Sequence, residues 1–368
     1  MSRQMKKKPK VSAVNLAEFE ALARKRLAKD VFEALAGGSD DEVTLAENIA
    51  AFRRMAMVPR VLRDVSNRKT NTTVLGQAIA FPVLLAPIAC LRRFHPDGEL
   101  AVVRAAASAG TICIVSTGAC YGFEEIAQNA KGAIWLQLYA YRDKGITQSL
   151  VQRAEAAGYK AICVTVDVPL SGRRERDYRN QYFYPGEMLY RNLKGLGIKG
   201  LTPGMDDAQL HEISRRELTV ALTWDYLDWL KSVTKLPVLL KGILATDDAR
   251  RAVNSGMDGI VVSNHGGRQL DGAPASIDVL RDIVTAVDGR LEVLLDSGVR
   301  RGTDVLRALA LGAKAVLVGR PYAWALAAEG EKGVSRALEM LREEFDTAMA
   351  LAGCSRVGEI DASLILNR

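Results

Sequence analysis

The sequence predicts an α/β fold, a (β/α)8 TIM barrel with an N-terminal helical extension and a long lid insertion after the fourth strand. Three observations predict it. Eight apolar runs of strand length recur along the chain, and the segments between them carry the helical period. No glycine-rich dinucleotide loop follows the first run.

The runs cover residues 83–88, 112–117, 133–139, 161–167, 237–243, 259–265, 291–298 and 315–320. Each is nearly continuous in β-branched residues and leucine, as a parallel strand covered on both faces requires. Intervening stretches such as GELAVVRAAASAG and GITQSLVQRAEAAGY place apolar residues three and four apart and stop at glycine. Eight strand–helix units fill a barrel. A doubly wound sheet, the competitor, has fewer strands and opens on G-x-G-x-x-G, where this chain reads Pro87, Ile88 and Ala89.

Two regions break the rhythm. Residues 1–80 precede the first run, and an amphipathic stretch over 16–35 predicts helices covering the bottom or side of the barrel. The gap between Asp167 and Pro237 predicts an insertion at about 169–222, leaving the top of the fourth strand. Its aromatics, Tyr178, Tyr182, Phe183, Tyr184 and Tyr190, suit a lid more than a solvated linker. The expectation is one domain over 1–368, with residues 1–12 a disordered tail.

Charge and composition exclude several classes. Fifty Lys and Arg against 43 Asp and Glu leave a net charge of +7, inflated by Lys6, Lys7, Lys8 and Lys10. The body shows no basic stripe, so no nucleic-acid partner is expected. No apolar run approaches the roughly 20 residues that span a bilayer. The start also lacks the apolar segment of a secretory signal, so a cytoplasmic protein is expected. The five cysteines are scattered, as buried small hydrophobes in a reducing compartment, and no spacing suggests a metal site.

Residues two apart on a strand share a face. Near the C-terminal ends of the runs, Gln137 pairs with Tyr139, Thr165 with Asp167, and Ser263 with His265; Lys241 and Ser116 sit at the same height. Polar groups inside apolar strands are costly unless paired or liganded. Five strands with one pattern make a polar pocket at the end where barrel active sites are built.

The last two units carry a second signal. Asp296, Gly298, Arg300 and Arg301 follow run seven, and Gly319 and Arg320 follow run eight. Small residues, a helix N-terminus and arginines in these loops predict a phosphorylated ligand, substrate or cofactor. One of the arginines pairing with Asp296 or Asp304 is the plainer alternative.

In SNHGGRQLDG, His265 ends an apolar run and meets two glycines, with Arg268 three residues on. A histidine is a plausible base near neutral pH, and an arginine anchors a carboxylate. Asp167 is placed to hold the imidazole and stabilise its protonated form.

SNHGGRQLDG, DSGVRRGTDVLRALALGAKAVLVGRP, LQLY and TVDVPLSGRRERD resemble the FMN-dependent 2-hydroxy-acid oxidase and dehydrogenase family, from about residue 12 to 360. The family includes glycolate oxidase, lactate oxidase, mandelate dehydrogenase and hydroxymandelate oxidase. The resemblance implies FMN across the top of the barrel and oxidation of a small L-2-hydroxy acid to the 2-oxo acid. It makes His265 the base, Asp167 its partner, and Arg174 and Arg268 the carboxylate ligands, with Tyr139 donating near the hydroxyl. Pro87, Ile88, Ala89, Ser116, Gln137, Thr165 and Lys241 would hold the isoalloxazine, and Ser263 would lie near the ribityl chain. Asp296, Gly298, Arg300, Gly319 and Arg320 would take ribityl and phosphate. It also implies a homo-oligomer, a tetramer, and reoxidation by O2, forming H2O2, or by another electron acceptor.

Two departures bear on substrate. Many relatives carry a substrate-contacting tyrosine where this chain has Ala34, and short-chain oxidases carry tryptophan where it has Gly118. Both changes remove volume, which predicts a bulky or aromatic, mandelate-like substrate. A lid aromatic such as Tyr182 or Tyr190 refilling the space would instead leave a lactate-sized pocket. Further alternatives are an isopentenyl-diphosphate isomerase-like FMN barrel and a flavin-binding, non-catalytic paralogue.

Overall fold

The computed structural model describes residues 13–183, 186, 190–198 and 205–366. The expected tail at 1–12, Tyr184 and parts of the expected insertion lie outside the described residues. Strands β1 (Thr72–Val74) and β2 (Gln77–Ile79) pair antiparallel as a hairpin. The barrel follows: β3 (Val83–Leu85), β4 (Cys113–Ser116), β5 (Ile134–Leu138), β6 (Ile162–Thr165), β7 (Val238–Ile243), β8 (Gly259–Val262), β9 (Glu292–Leu295) and β10 (Ala315–Val318). The eight are parallel in sequence order, and β10 closes onto β3.

Alternation along each strand divides the apolar side chains into two sets. Leu84, Ile114, Trp135, Cys163, Leu239, Val261, Leu294 and Leu317 point inward and form one buried cluster. Val74 and Ile79 of the hairpin belong to that cluster, and Trp135 Nε1 donates to Gln77 Oε1 at 3.1 Å. The hairpin therefore plugs the N-terminal end of the barrel.

This corrects the expectation that the N-terminal helices cover the bottom or side. Helix Leu16–Arg26 packs against the C-terminal helical segment Arg320–Leu351. Helices Lys29–Ala36 and Val43–Arg54 instead reach the top, where the strands end. Asp271, beyond β8, accepts from Val43 N at 3.2 Å and Thr44 N at 2.8 Å, so a carboxylate caps the second helix at its positive end.

The long connection from β6 to β7 carries helices Glu175–Arg179, Asp207–Glu217 and Trp224–Ser232. Its described aromatics divide. Tyr182 and Tyr190 are buried, whereas Tyr178 and Phe183 are exposed. All five cysteines are free and buried. Among the described residues no helix is long and apolar enough to cross a membrane, and no cluster of His, Cys, Asp and Glu could hold a metal.

Candidate active site

The inward parity that fills the lower barrel with leucine brings polar groups together one layer higher. Ser116 Oγ donates to Gln137 Oε1 at 3.1 Å, and Gln137 Nε2 donates to Thr165 Oγ1 at 2.9 Å. All three are buried and line the main cavity at the top of the barrel. Beside them Lys241 Nζ lies 3.1 Å from Asp296 Oδ2 and donates to Ser263 Oγ at 3.1 Å. Burial alone would lower the Lys241 ammonium, but Asp296 and Asp167 outweigh it and hold its pKa above the ordinary value.

His265 follows β8 with φ +58, a left-handed backbone that turns the imidazole to the cavity wall. Its Nδ1 sits 3.0 and 3.2 Å from the two Asp167 oxygens. Burial pushes the Asp167 carboxyl up, yet His265 and Lys241 together hold it below the usual carboxylate value. Asp167 stands behind the imidazole, on a second, adjoining cavity. Its position depends on Gly242, where β7 shifts register. Gly242 has φ +117, and a Cβ there would fall 2.5 Å from the Asp167 side chain.

Arg174, Arg268 and Tyr139 line the same cavity as His265. Arg174 Nε donates to Asp177 Oδ2 at 2.7 Å. Arg268 Nη1 donates to the carbonyls of Ala34 and Gly37, both at 2.9 Å, which fastens the N-terminal segment over the mouth. Ala34 and Leu35 thereby become part of the wall.

The loops after β9 and β10 complete the rim with Asp296, Gly298, Arg300, Gly319 and Arg320. Arg320 donates to the carbonyls of Leu35, Gly266 and Gly37 at 3.0, 2.9 and 2.8 Å. Arg300 donates to Val299 O and lies over the Trp324 ring. The plainer alternative for these arginines does not hold. Asp304 accepts from the Arg300 and Arg301 amides and pairs with Arg307, while Asp296 pairs with Lys241. Lost hydration, with Arg268 and Arg300 nearby, puts Arg320 well below its ordinary pKa; lost hydration also lowers Arg300. Cations that repel one another at a rim of carbonyls form a site for an anion.

The structure thus gathers most of the expected residues, Pro87, Ile88 and Ala89 included, around one cavity. Three stand elsewhere, among them Asp167 behind the imidazole. Ser263 adjoins the second cavity behind His265. Gly118 is buried off the wall of the main cavity, because its amide donates to Ser116 Oγ and its carbonyl accepts from Cys90 N. The expectations omitted Phe94, Val168, Ser171, Gln269 and Ser297, which line the cavity. Gln269 was legible as the neighbour of Arg268. It donates to Asp167 O and Leu170 O and accepts from Gly172 N, joining the loops after β6 and β8.

Residues 23–367 match the family described as FMN-dependent dehydrogenase. The chain is similar to L-lactate oxidase from Nostoc sp., with 48% identity over 358 residues, 96% of this chain and 98% of the relative. It is 48% identical over 360 residues to 2-hydroxyacid oxidase 1 from Homo sapiens, covering 97% of each chain. Among solved structures, mandelate oxidase with (S)-4-hydroxymandelic acid matches with a TM-score of 0.89 and 47% identity, over 96% of this chain and 98% of the other.

Proposed function

The chain belongs to the FMN-dependent dehydrogenase family, and from that premise we propose oxidation of an L-2-hydroxy acid with an aromatic or bulky side chain. The residues present fit the cofactor. Arg300 and Arg320 offer guanidiniums to a phosphate, and among the described residues neither forms an ion pair with a carboxylate. Ser116, Gln137, Thr165 and Lys241 offer a ring of polar side chains to a heterocycle. When bound, FMN accepts two electrons from the substrate and passes them to oxygen or another acceptor.

Arg174 and Arg268 bind the substrate carboxylate, and Tyr139 donates to the hydroxyl. His265, its Nδ1 engaged by Asp167, takes a substrate proton at Nε2. Asp167 fixes the ring orientation and stabilises the imidazolium that forms. Pro87, Ile88 and Ala89 would bear on the isoalloxazine, and Gly298 and Gly319 would face the ribityl phosphate. The observation that carries the reading is a histidine, held from behind by an aspartate, that shares one cavity wall with two arginines.

The substrate side chain meets Ala34, Leu35, Phe94, Val168 and Tyr182. Ala34 opens this wall, and the likeness to mandelate oxidase with (S)-4-hydroxymandelic acid agrees with an aromatic occupant. A lactate-sized substrate is the second reading, favoured by Tyr182, which occupies the wall from the connection after β6. Mixing the holoprotein anaerobically with glycolate, lactate and mandelate tests both. Faster flavin bleaching by mandelate is expected. Preference for lactate supports the second reading, and no bleaching by any of them overturns the proposed oxidation.

A further inference from the structure

The hydrogen bonds around His265 close into a ring. His265 N donates to Ser263 Oγ at 3.0 Å, and Lys241 Nζ donates to the same hydroxyl at 3.1 Å. On its other side Lys241 Nζ lies 3.1 Å from Asp296 Oδ2. Asp296 Oδ1 accepts from Ser297 Oγ at 2.8 Å, and Ser297 Oγ accepts from Gly266 N at 2.9 Å. The consecutive amides of His265 and Gly266 are thus both tied to one ammonium, through two serines.

Ser297 is the costly member of this ring. Its φ is +73, in the left-handed region that glycine enters freely and a residue with a Cβ does not. His265 is left-handed as well. Backbone strain of this kind persists where surrounding bonds over-determine it, and it collects at functional sites. Here the two strained turns are bonded to each other through Gly266 N and Ser297 Oγ. The single Ser297 proton goes to a carboxylate and a lone pair receives the amide, so the hydroxyl has a defined direction.

We propose that Ser297 is a positioning residue whose hydroxyl locks the His265 turn to the Asp296–Lys241 pair, setting the imidazole against the bound substrate. This rests on His265 acting as the base. It assigns Ser297 no contact with the reacting atoms.

Two substitutions separate the hydroxyl from the strain. Ser297→Gly removes both, whereas Ser297→Ala removes the hydroxyl and keeps the strain. Both variants are expected to lose about tenfold in kcat, the equivalent of roughly 1.4 kcal/mol. KM stays within about twofold, because Arg174 and Arg268 are untouched. FMN Kd, read by flavin fluorescence on the apoprotein, stays within about threefold, because Arg300 and Arg320 are untouched. Deuterium exchange in a peptide spanning residues 263–268 rises in both variants. Thermal stability divides them, with Ser297→Gly at or above the parent and Ser297→Ala below it.

A Ser297→Gly variant with parental kcat, or losses that follow melting temperature in place of the hydroxyl, overturns the proposal. So does unchanged exchange at 263–268 in both variants. Failure of the parent holoprotein to be reduced by any 2-hydroxy acid removes the catalytic reading of His265, and with it the positioning role. The exchange measurement still reports on the ring in that case.

Discussion

Arg268 and Arg320 donate to one carbonyl oxygen, that of Gly37, at 2.9 and 2.8 Å. One guanidinium faces the proposed substrate carboxylate and the other the proposed cofactor phosphate, so a single peptide joins the two anion sites. Gly37 follows helix Lys29–Ala36, which makes the N-terminal extension part of both. Arg320 also donates to Leu35 O and Gly266 O, and Arg268 to Ala34 O. Around Arg320 three neutral carbonyls orient the cation without cancelling its charge.

Anions should therefore stabilise the apoprotein. FMN raises its melting temperature, and inorganic phosphate alone raises it by a smaller amount, with a ligand at 100 times its Kd giving about 2.7 kcal/mol. Arg320→Ala weakens FMN roughly 10- to 100-fold, as loss of a charge-assisted contact of about 1.5–3 kcal/mol requires. Fluorescence titration measures it, and a Kd within twofold of the parent contradicts the assignment.

His265→Gln keeps a polar side chain but removes a group able to take the proton. Flavin reduction should slow roughly 10²- to 10⁴-fold, with FMN still bound. Asp167→Asn should slow it as well, by leaving the imidazole in the wrong tautomer and its charged form unsupported. Anaerobic stopped-flow at saturating substrate reads both, and an undiminished rate in His265→Gln removes the base.

Asp167 also makes a stability prediction with a definite sign. Its pKa is lowered in the fold from an ordinary 3.8, so it stabilises the protein above that value. The contribution disappears as pH falls through the folded value. The stability gap between parent and Asp167→Asn should close as pH falls below 3.8. Urea unfolding at a series of pH values checks it. A gap that stays open well below that value contradicts the pairing.

Substrate size should respond to Ala34. Ala34→Tyr places a phenol on the cavity wall and is expected to cut kcat/KM for mandelate at least about tenfold relative to lactate. The ratio of the two constants is the measurement. An unchanged ratio places the side-chain pocket elsewhere.

The plug beneath the barrel should matter for stability and not for chemistry. Trp135 is fully buried and bonded to Gln77 of the hairpin. Trp135→Ala should cost about 3–5 kcal/mol in chemical unfolding. KM in the folded fraction should be unchanged.

What the sequence revealed follows from burial. Strands covered on both faces must be nearly all apolar, so the eight runs stood out. Gln137, Thr165, Lys241 and His265 stood out as polar exceptions within them. The hairpin did not, because TTV and QAI are three-residue strands, too short to show a period. Ser297 was hidden for another reason. Simple alternation from Asp296 sends it to the outer face, and only its left-handed backbone returns the hydroxyl to the cavity. Gly118 does not itself line the main cavity, and its peptide is bonded to Ser116 and Cys90.

The hairpin seals the end of the barrel opposite the candidate site. Traffic to the site is thereby left to the other end, where the segment held by Gly37 lies. On the proposed reaction, accumulated keto acid would compete there with incoming hydroxy acid.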